Sequence, residues 1–228
     1  MNSNDKLTPK ETPKKKTKKR NYFFFNFVKV TGSPIVLWMR PKVYCYGKTR
    51  PKDVKGGAII AANHSSFYDP VFGYCVFWRR NMHCVATKDL FAGKWKDFFF
   101  RNVQCIKVDK ENFSMHCFYE IQEVLENDKL VMIFPEGRLN VDNPSDMLSF
   151  KSGAVLMAHR ANKPIIPLYI VKGEKWYNRW HGVLGDPIDV RKLCGPMPSL
   201  EKINEVCALL KQKEEELKEY YYSRRKKK

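Results

Sequence analysis

Two short stretches carry residue types that could do chemistry. The first is Asn63-His64-Ser65-Ser66-Phe67-Tyr68-Asp69. A histidine serves as a general base when a carboxylate fixes its tautomer and stabilises the imidazolium that forms. Here the carboxylate lies five residues on, and on a regular helix such positions stand about 140° apart, too far round for a direct hydrogen bond. The pair therefore works only if His64 sits just before a helix, at a strand end. Ser65 or Ser66 would cap that helix, and Asp69 would reach back from its first turn. The same residues also suit a simple cap or a packed side chain, and spacing alone does not separate these uses.

The second stretch is Phe134-Pro135-Glu136-Gly137-Arg138. Gly137 lets the backbone approach a ligand closely, and Arg138 offers a planar fork suited to phosphate. A turn with a solvent-facing Glu136–Arg138 ion pair satisfies the same residues.

Elements must place these loops. Ala58 to Ala62 reads as a buried strand ending at Asn63, and Leu130 to Phe134 as a second ending at Pro135. Asn112 to Asn127 sets Phe118, Ile121 and Leu125 at helical spacing, with Asp128-Lys129 turning out, and Ser152 to Ala161 fits another helix. Pro164 to Val171 fits a strand whose Pro167 lacks a ladder donor, so it is an edge, a bulge or a bend. Ser199 is placed to cap a last helix in which Ile203, Val206, Leu210 and Leu217 share a face. Strands alternating with helices predict an α/β fold, a mixed and largely parallel sheet flanked by helices. Both loops then lie beyond strand carboxyl ends, where such sheets bind ligands.

The 228 residues are 43% hydrophobic and 14% aromatic, which excludes a disordered or collagen-like chain. The formal net charge of +18 is concentrated at the ends: residues 1–20 hold eight Lys or Arg against Asp5 and Glu11, and Arg224 to Lys228 add five more. Residues 1–20 read as a disordered basic tail and 223–228 as another, with a domain over 41–222 that includes the C-terminal helix. Tyr22-Phe-Phe-Phe-Asn-Phe-Val opens an apolar segment over 21–40, broken by Lys29 and by Gly32-Ser33-Pro34, so one or two short helices are expected and no confident membrane span. The basic run is too long for a secretory signal, and no small-residue cleavage site follows it. Seven cysteines without a CxxC pair read as reduced thiols in a cytosol-facing protein, with no metal site. His83, His116, His159 and His181 have no partner pattern, and Trp176 to Trp180 reads as a packed or interfacial loop.

Together, Asn63-His64-x4-Asp69 and Phe134-Pro-Glu-Gly137 resemble the first and third blocks of the glycerolipid acyltransferases, most like the bacterial 1-acylglycerol-3-phosphate (lysophosphatidate) acyltransferases. Ala86-Thr-Lys-Asp-Leu-Phe91 is similar to the family's Ala-Lys-x-Glu-Leu-Phe. Cys105-Ile-Lys-Val-Asp-Lys110 sits where Gly-x-Ile-Phe-x-Asp-Arg belongs, Phe150-Lys-Ser-Gly153 matches Phe-Lys-x-Gly, and Pro164-Ile-Ile-Pro167 resembles the fourth block. The resemblance runs from about residue 22 to about 190. It implies that His64 is the base on the acceptor hydroxyl and Asp69 its partner. It further implies that Asn63 holds the loop, that Lys88, Lys110 and Arg138 meet the acceptor phosphate, and that Glu136 and Gly137 shape the glycerol site. The family forms no acyl-enzyme, so no nucleophilic side chain is required. Two departures stand out: Gln104 and Lys110 replace the second block's Gly and Arg, and Arg138 comes one residue earlier than in the commoner Glu-Gly-Thr-Arg-Ser.

The expected activity is transfer of a fatty acyl group from an acyl thioester, acyl-CoA or acyl-ACP, to the sn-2 hydroxyl of 1-acyl-sn-glycerol 3-phosphate, giving phosphatidic acid without a cofactor. The enzyme alternative acts on another lysolipid or on glycerol 3-phosphate. The alternative of another class is a basic lipid- or nucleic-acid-binding module without catalysis, for which no RNA-binding aromatic signature or zinc-finger spacing speaks. Charge beside apolar aromatics predicts docking of residues 14–40 on an anionic membrane surface, hence a peripheral protein on the cytoplasmic face of the cell membrane.

Overall fold

The computed structural model describes residues 22–39, 41–109, 115–140, 146–173 and 179–226. Seven strands make one sheet: β1 (Lys42–Cys45), β2 (Ala58–Ala62), β3 (Met82–Thr87), β4 (Cys105–Val108), β5 (Leu130–Ile133), β6 (Ile165–Val171) and β7 (His181–Leu184). Their order is β1-β7-β6-β2-β5-β3-β4. All neighbours are parallel except β6 and β7, so β2 to β6 point one way and β1 and β7 the other. This is the mixed, largely parallel sheet expected from the alternation of strands and helices.

The helices are α1 (Phe23–Met39), α2 (Asp69–Val76), α3 (Lys94–Asn102), α4 (Met115–Glu126), α5 (Gly153–Ala161), α6 (Val190–Cys194) and α7 (Leu200–Lys226). Alternation of side chains along the central strands divides the core. Ile60, Met132, Ile166 and Leu168 pack with Phe72 and Phe77, on and just beyond α2. Ile59, Val131, Ile133 and Ile165 face the opposite side, against α4 to α7. Ser199 caps α7 by accepting the Lys202 N–H at 3.2 Å, and Ile203, Val206, Leu210 and Leu217 are all buried. The helix continues through Arg224, Arg225 and Lys226, residues that read as tail in the sequence; cations suit its negative end, and Arg224 also bonds the Tyr220 hydroxyl at 2.8 Å.

One local expectation is corrected and another is resolved. The apolar N-terminal segment is one helix that runs through Gly32-Ser33-Pro34, because a proline keeps helical φ and withholds only one donor. It is fastened to α2 by Phe25, which is buried against Tyr74. Lys29 reinforces this by donating to the Trp78 carbonyl at 2.6 Å. Second, β6 is no edge strand; it lies between β7 and β2. Of the three expectations for Pro167, the bulge is realised: Leu168 pairs with Leu184 but Ile165 with Ile188, so two residues of β6 face three of the other strand. The Pro167 carbonyl accepts from Gly185, which places the missing donor at the end of the β7 ladder and leaves the β2 ladder whole. A side chain at 185 would begin 2.8 Å from the Pro167 ring, so glycine permits the approach.

Among the described residues no helix is long and apolar enough to cross a membrane. Trp180 is packed against Phe72, while residues 174–178 of the same loop, and Lys110, lie outside the described residues.

Candidate active site

β2 ends at Ala62, and residues 63–68 lead directly into α2, so His64 falls before the helix as its spacing with Asp69 requires. His64 Nδ1 lies 2.9 Å from Asp69 Oδ2. A carboxylate only accepts, so Nδ1 carries a proton, and the neutral ring with that tautomer has its lone pair at Nε2. Asp69 is fully buried, and the same Oδ2 also accepts the N–H groups of Ser65 (2.8 Å) and Ser66 (2.7 Å). Oδ1 has no hydrogen-bond partner among the described residues. Neither serine caps α2: the helix starts at Asp69, and Ser66 Oγ accepts the Tyr68 N–H just before it, at 3.3 Å.

The rest of the frame comes from neighbouring strands. The Asn63 side chain bonds Ile170 of β6 twice, giving Nδ2–H to its carbonyl (3.0 Å) and taking its N–H (2.7 Å). After β5, Phe134 stacks on the His64 ring with centroids 3.9 Å apart and planes 16° apart. Glu136 is buried, with one oxygen on the His64 N–H and the other on the Leu148 N–H, both at 3.3 Å. It therefore turns inward and serves the His64 loop, where the sequence also allowed a surface ion pair. Burial pushes its carboxyl above the usual range, and the two N–H bonds oppose that. The Asn140 N–H closes the ring of contacts on the His64 carbonyl at 2.7 Å.

The candidate cations among the described residues stand on turns that follow other strands. Lys88 opens a turn after β3 and pairs with Asp109, past β4, at 3.2 Å. Arg138 is exposed on the Glu136 loop. Gly137 has φ +69°, and a Cβ there would meet the Lys151 chain at 3.0 Å. Glycine thus serves both the left-handed backbone and the passage of Lys151. Lys151 and Phe134 stand inside the blocks that carry the resemblance, yet residue type alone gives neither a role; Asn140 and Leu148 act through backbone groups, which leave no signature.

The departure at Gln104 falls at a special backbone position. Its φ is +67°, so the position that is Gly in the resembled block is a left-handed one. The cysteines are all free, and burial pushes Cys75 and Cys105 up to about 12 and Cys117 up to about 11, far from reactive thiolates. Among the described residues no group of three or more His, Cys, Asp or Glu is arranged to hold a metal.

A histidine fixed by a buried carboxylate, at the carboxyl edge of a mixed α/β sheet, has the geometry that general-base chemistry requires. The chain belongs to the acyltransferase family, whose model matches residues 42–171. It is 26% identical over 189 residues to 1-acyl-sn-glycerol-3-phosphate acyltransferase of Bacillus subtilis, a match covering 80% of this chain and 92% of that one. A protein of the same name from Streptococcus pneumoniae is 26% identical over 58% of this chain and 50% of its own. The fold is shared with the crystal structure of the 1-acyl-sn-glycerophosphate (LPA) acyltransferase PlsC from Thermotoga maritima. The TM-score is 0.58 at 21% identity, over 85% of this chain and 79% of that one.

Proposed function

We propose that this acyltransferase esterifies the sn-2 hydroxyl of 1-acyl-sn-glycerol 3-phosphate with an acyl group from acyl-CoA or acyl-ACP, forming phosphatidic acid. The carrying observation is the 2.9 Å bond from His64 to fully buried Asp69. The names of the relatives support the acceptor.

His64 Nε2 takes the hydroxyl proton as that oxygen attacks the thioester carbonyl, and Asp69 stabilises the resulting imidazolium. The C–O ester bond forms, the C–S bond breaks, and the imidazolium returns its proton to the leaving thiolate. Proton and electron pairs balance among these groups without a cofactor. Lys88, Lys110 and Arg138 are proposed to meet the acceptor phosphate, and Lys151 joins them as a further cation beside Gly137. The protein works at the cytoplasmic face of the cell membrane as a peripheral protein held on anionic lipid.

The test is acyl transfer from labelled acyl-CoA and acyl-ACP to lysophosphatidate, in wild type and His64→Ala. Product in wild type, falling about 10²- to 10⁴-fold in a folded mutant, is the expected result. Equal turnover in the two proteins would remove His64 as base. Product only with another lysolipid or glycerol 3-phosphate would reassign the acceptor.

A further inference from the structure

Helix α3 is nine residues long, and none of them is buried. Yet it carries Trp95, Phe98 and Phe99 at i, i+3 and i+4, one continuous stripe, with exposures of 86, 54 and 44%. So large a run of rings on one helix face would normally pack into a core. The stripe does not end at α3. Phe98 and Phe99 both meet the Phe24 ring edge-on, at 5.9 and 6.3 Å, and one turn along α1 stands Phe27, 57% exposed. Two helices far apart in sequence thus share one aromatic surface. Lys94 and Lys96 flank Trp95, while Asp97, the only acid in the helix, is paired with Arg101 at 2.7 Å.

We propose that α3 is a second membrane-contacting element, lying in the headgroup region of an anionic bilayer beside α1. Charge selects this occupant. A second copy would bring lysine against lysine on chains each carrying +18, whereas an anionic leaflet attracts Lys94 and Lys96 while the rings insert. Aromatic rings between lysines suit the membrane interface, where one side is apolar and the other wet. Position gives the contact a use. The turn before α3 follows the carboxyl end of β3, the same sheet edge that holds His64 and Asp69. Contact through α3 therefore brings the site mouth near the layer in which an acylated acceptor resides. The inference rests on the peripheral-membrane reading above and adds an element to it.

The test is flotation of the full chain with vesicles of equal parts phosphatidylcholine and phosphatidylglycerol, alongside turnover of a short-chain, water-soluble lysophosphatidate. The variants are Trp95→Ser/Phe98→Ser, Trp95→Leu/Phe98→Leu as the conservative control, and Phe27→Ser on α1. The serine pair is expected to lower vesicle partitioning by at least about tenfold, with short-chain turnover unchanged and the leucine pair restoring most of the binding. Serine-pair binding equal to wild type, with loss in Phe27→Ser, would overturn the role of α3 and leave docking to α1. Wild type that fails to float would overturn the membrane reading itself. A wild-type dimer that the serine pair converts to monomer, with vesicle binding intact, would assign the stripe to a second copy and overturn the proposal.

Discussion

Glu136 holds His64 by its peptide: one carboxylate oxygen accepts the His64 N–H while the other accepts that of Leu148. The ring itself is left to Asp69 and Phe134. Orientation of the proposed base thus has two independent supports, one on the side chain and one on the main chain. Removing the second should misplace His64 without changing its chemistry. Glu136→Ala is expected to lower kcat by roughly a hundredfold, the order of loss that follows a small misplacement of reacting groups. Glu136→Gln keeps one acceptor and should lose less. Steady-state kinetics beside a thermal melt checks both.

Asp69→Asn preserves size but removes the charge that selects the Nδ1–H tautomer. Turnover should fall by about a thousandfold, while KM for the acceptor moves little. If this variant turned over as fast as wild type, the carboxylate would be left with only its bonds to Ser65 and Ser66.

Position 104 offers a comparison of backbone alone. Both Gln104→Gly and Gln104→Ala delete the same amide side chain, but only glycine is at ease at a φ of +67°. The glycine protein should be more stable than the alanine one by about 1 kcal/mol in urea unfolding.

Glu214, on the buried side of α7, is fully enclosed, and neither carboxyl oxygen has a hydrogen-bond partner among the described residues. Burial, then the charge of Glu136, pushes its carboxyl well above the usual range. A raised folded value favours the proton in the native state. Its contribution to stability is therefore full below the unfolded value, about 4.3, and is lost as pH climbs toward the folded one. Glu214→Met should be more stable than wild type by about 1–4 kcal/mol near neutrality, with the gain shrinking toward about pH 4. Thermal unfolding across pH measures it.

What the sequence made legible was local or periodic. The five-residue gap from His64 to Asp69 forbids a direct bond between them on one regular helix, and the apolar run Ala58 to Ala62 supplies the strand end that the pair then needs. The run Ala58 to Ala62 was readable to the residue, since a five-residue apolar stretch closed by Asn63 has few other uses. Long-range partners left no such mark. Glu136 serves an N–H 72 residues away, and no property of Glu136 as a residue announces an inward turn. Pro167 signalled trouble in a ladder but not which ladder; that depends on which side of β6 its nitrogen faces, a matter of register. The stripe on α3 went unread because nine residues are too few to stand out as a periodic run.

The stack of His64 on Phe134 leaves the imidazole one inexpensive motion. Tipping it out of its plane would drive it into the phenyl ring 3.9 Å away, whereas swivelling within the plane about the Asp69 oxygen preserves both contacts. Such a swivel carries Nε2 along a shallow arc. On the proposed mechanism a proton collected at one end of that arc is deliverable at the other, which would set the oxygen that gives it up and the sulfur that receives it in the plane of the ring, side by side along its edge.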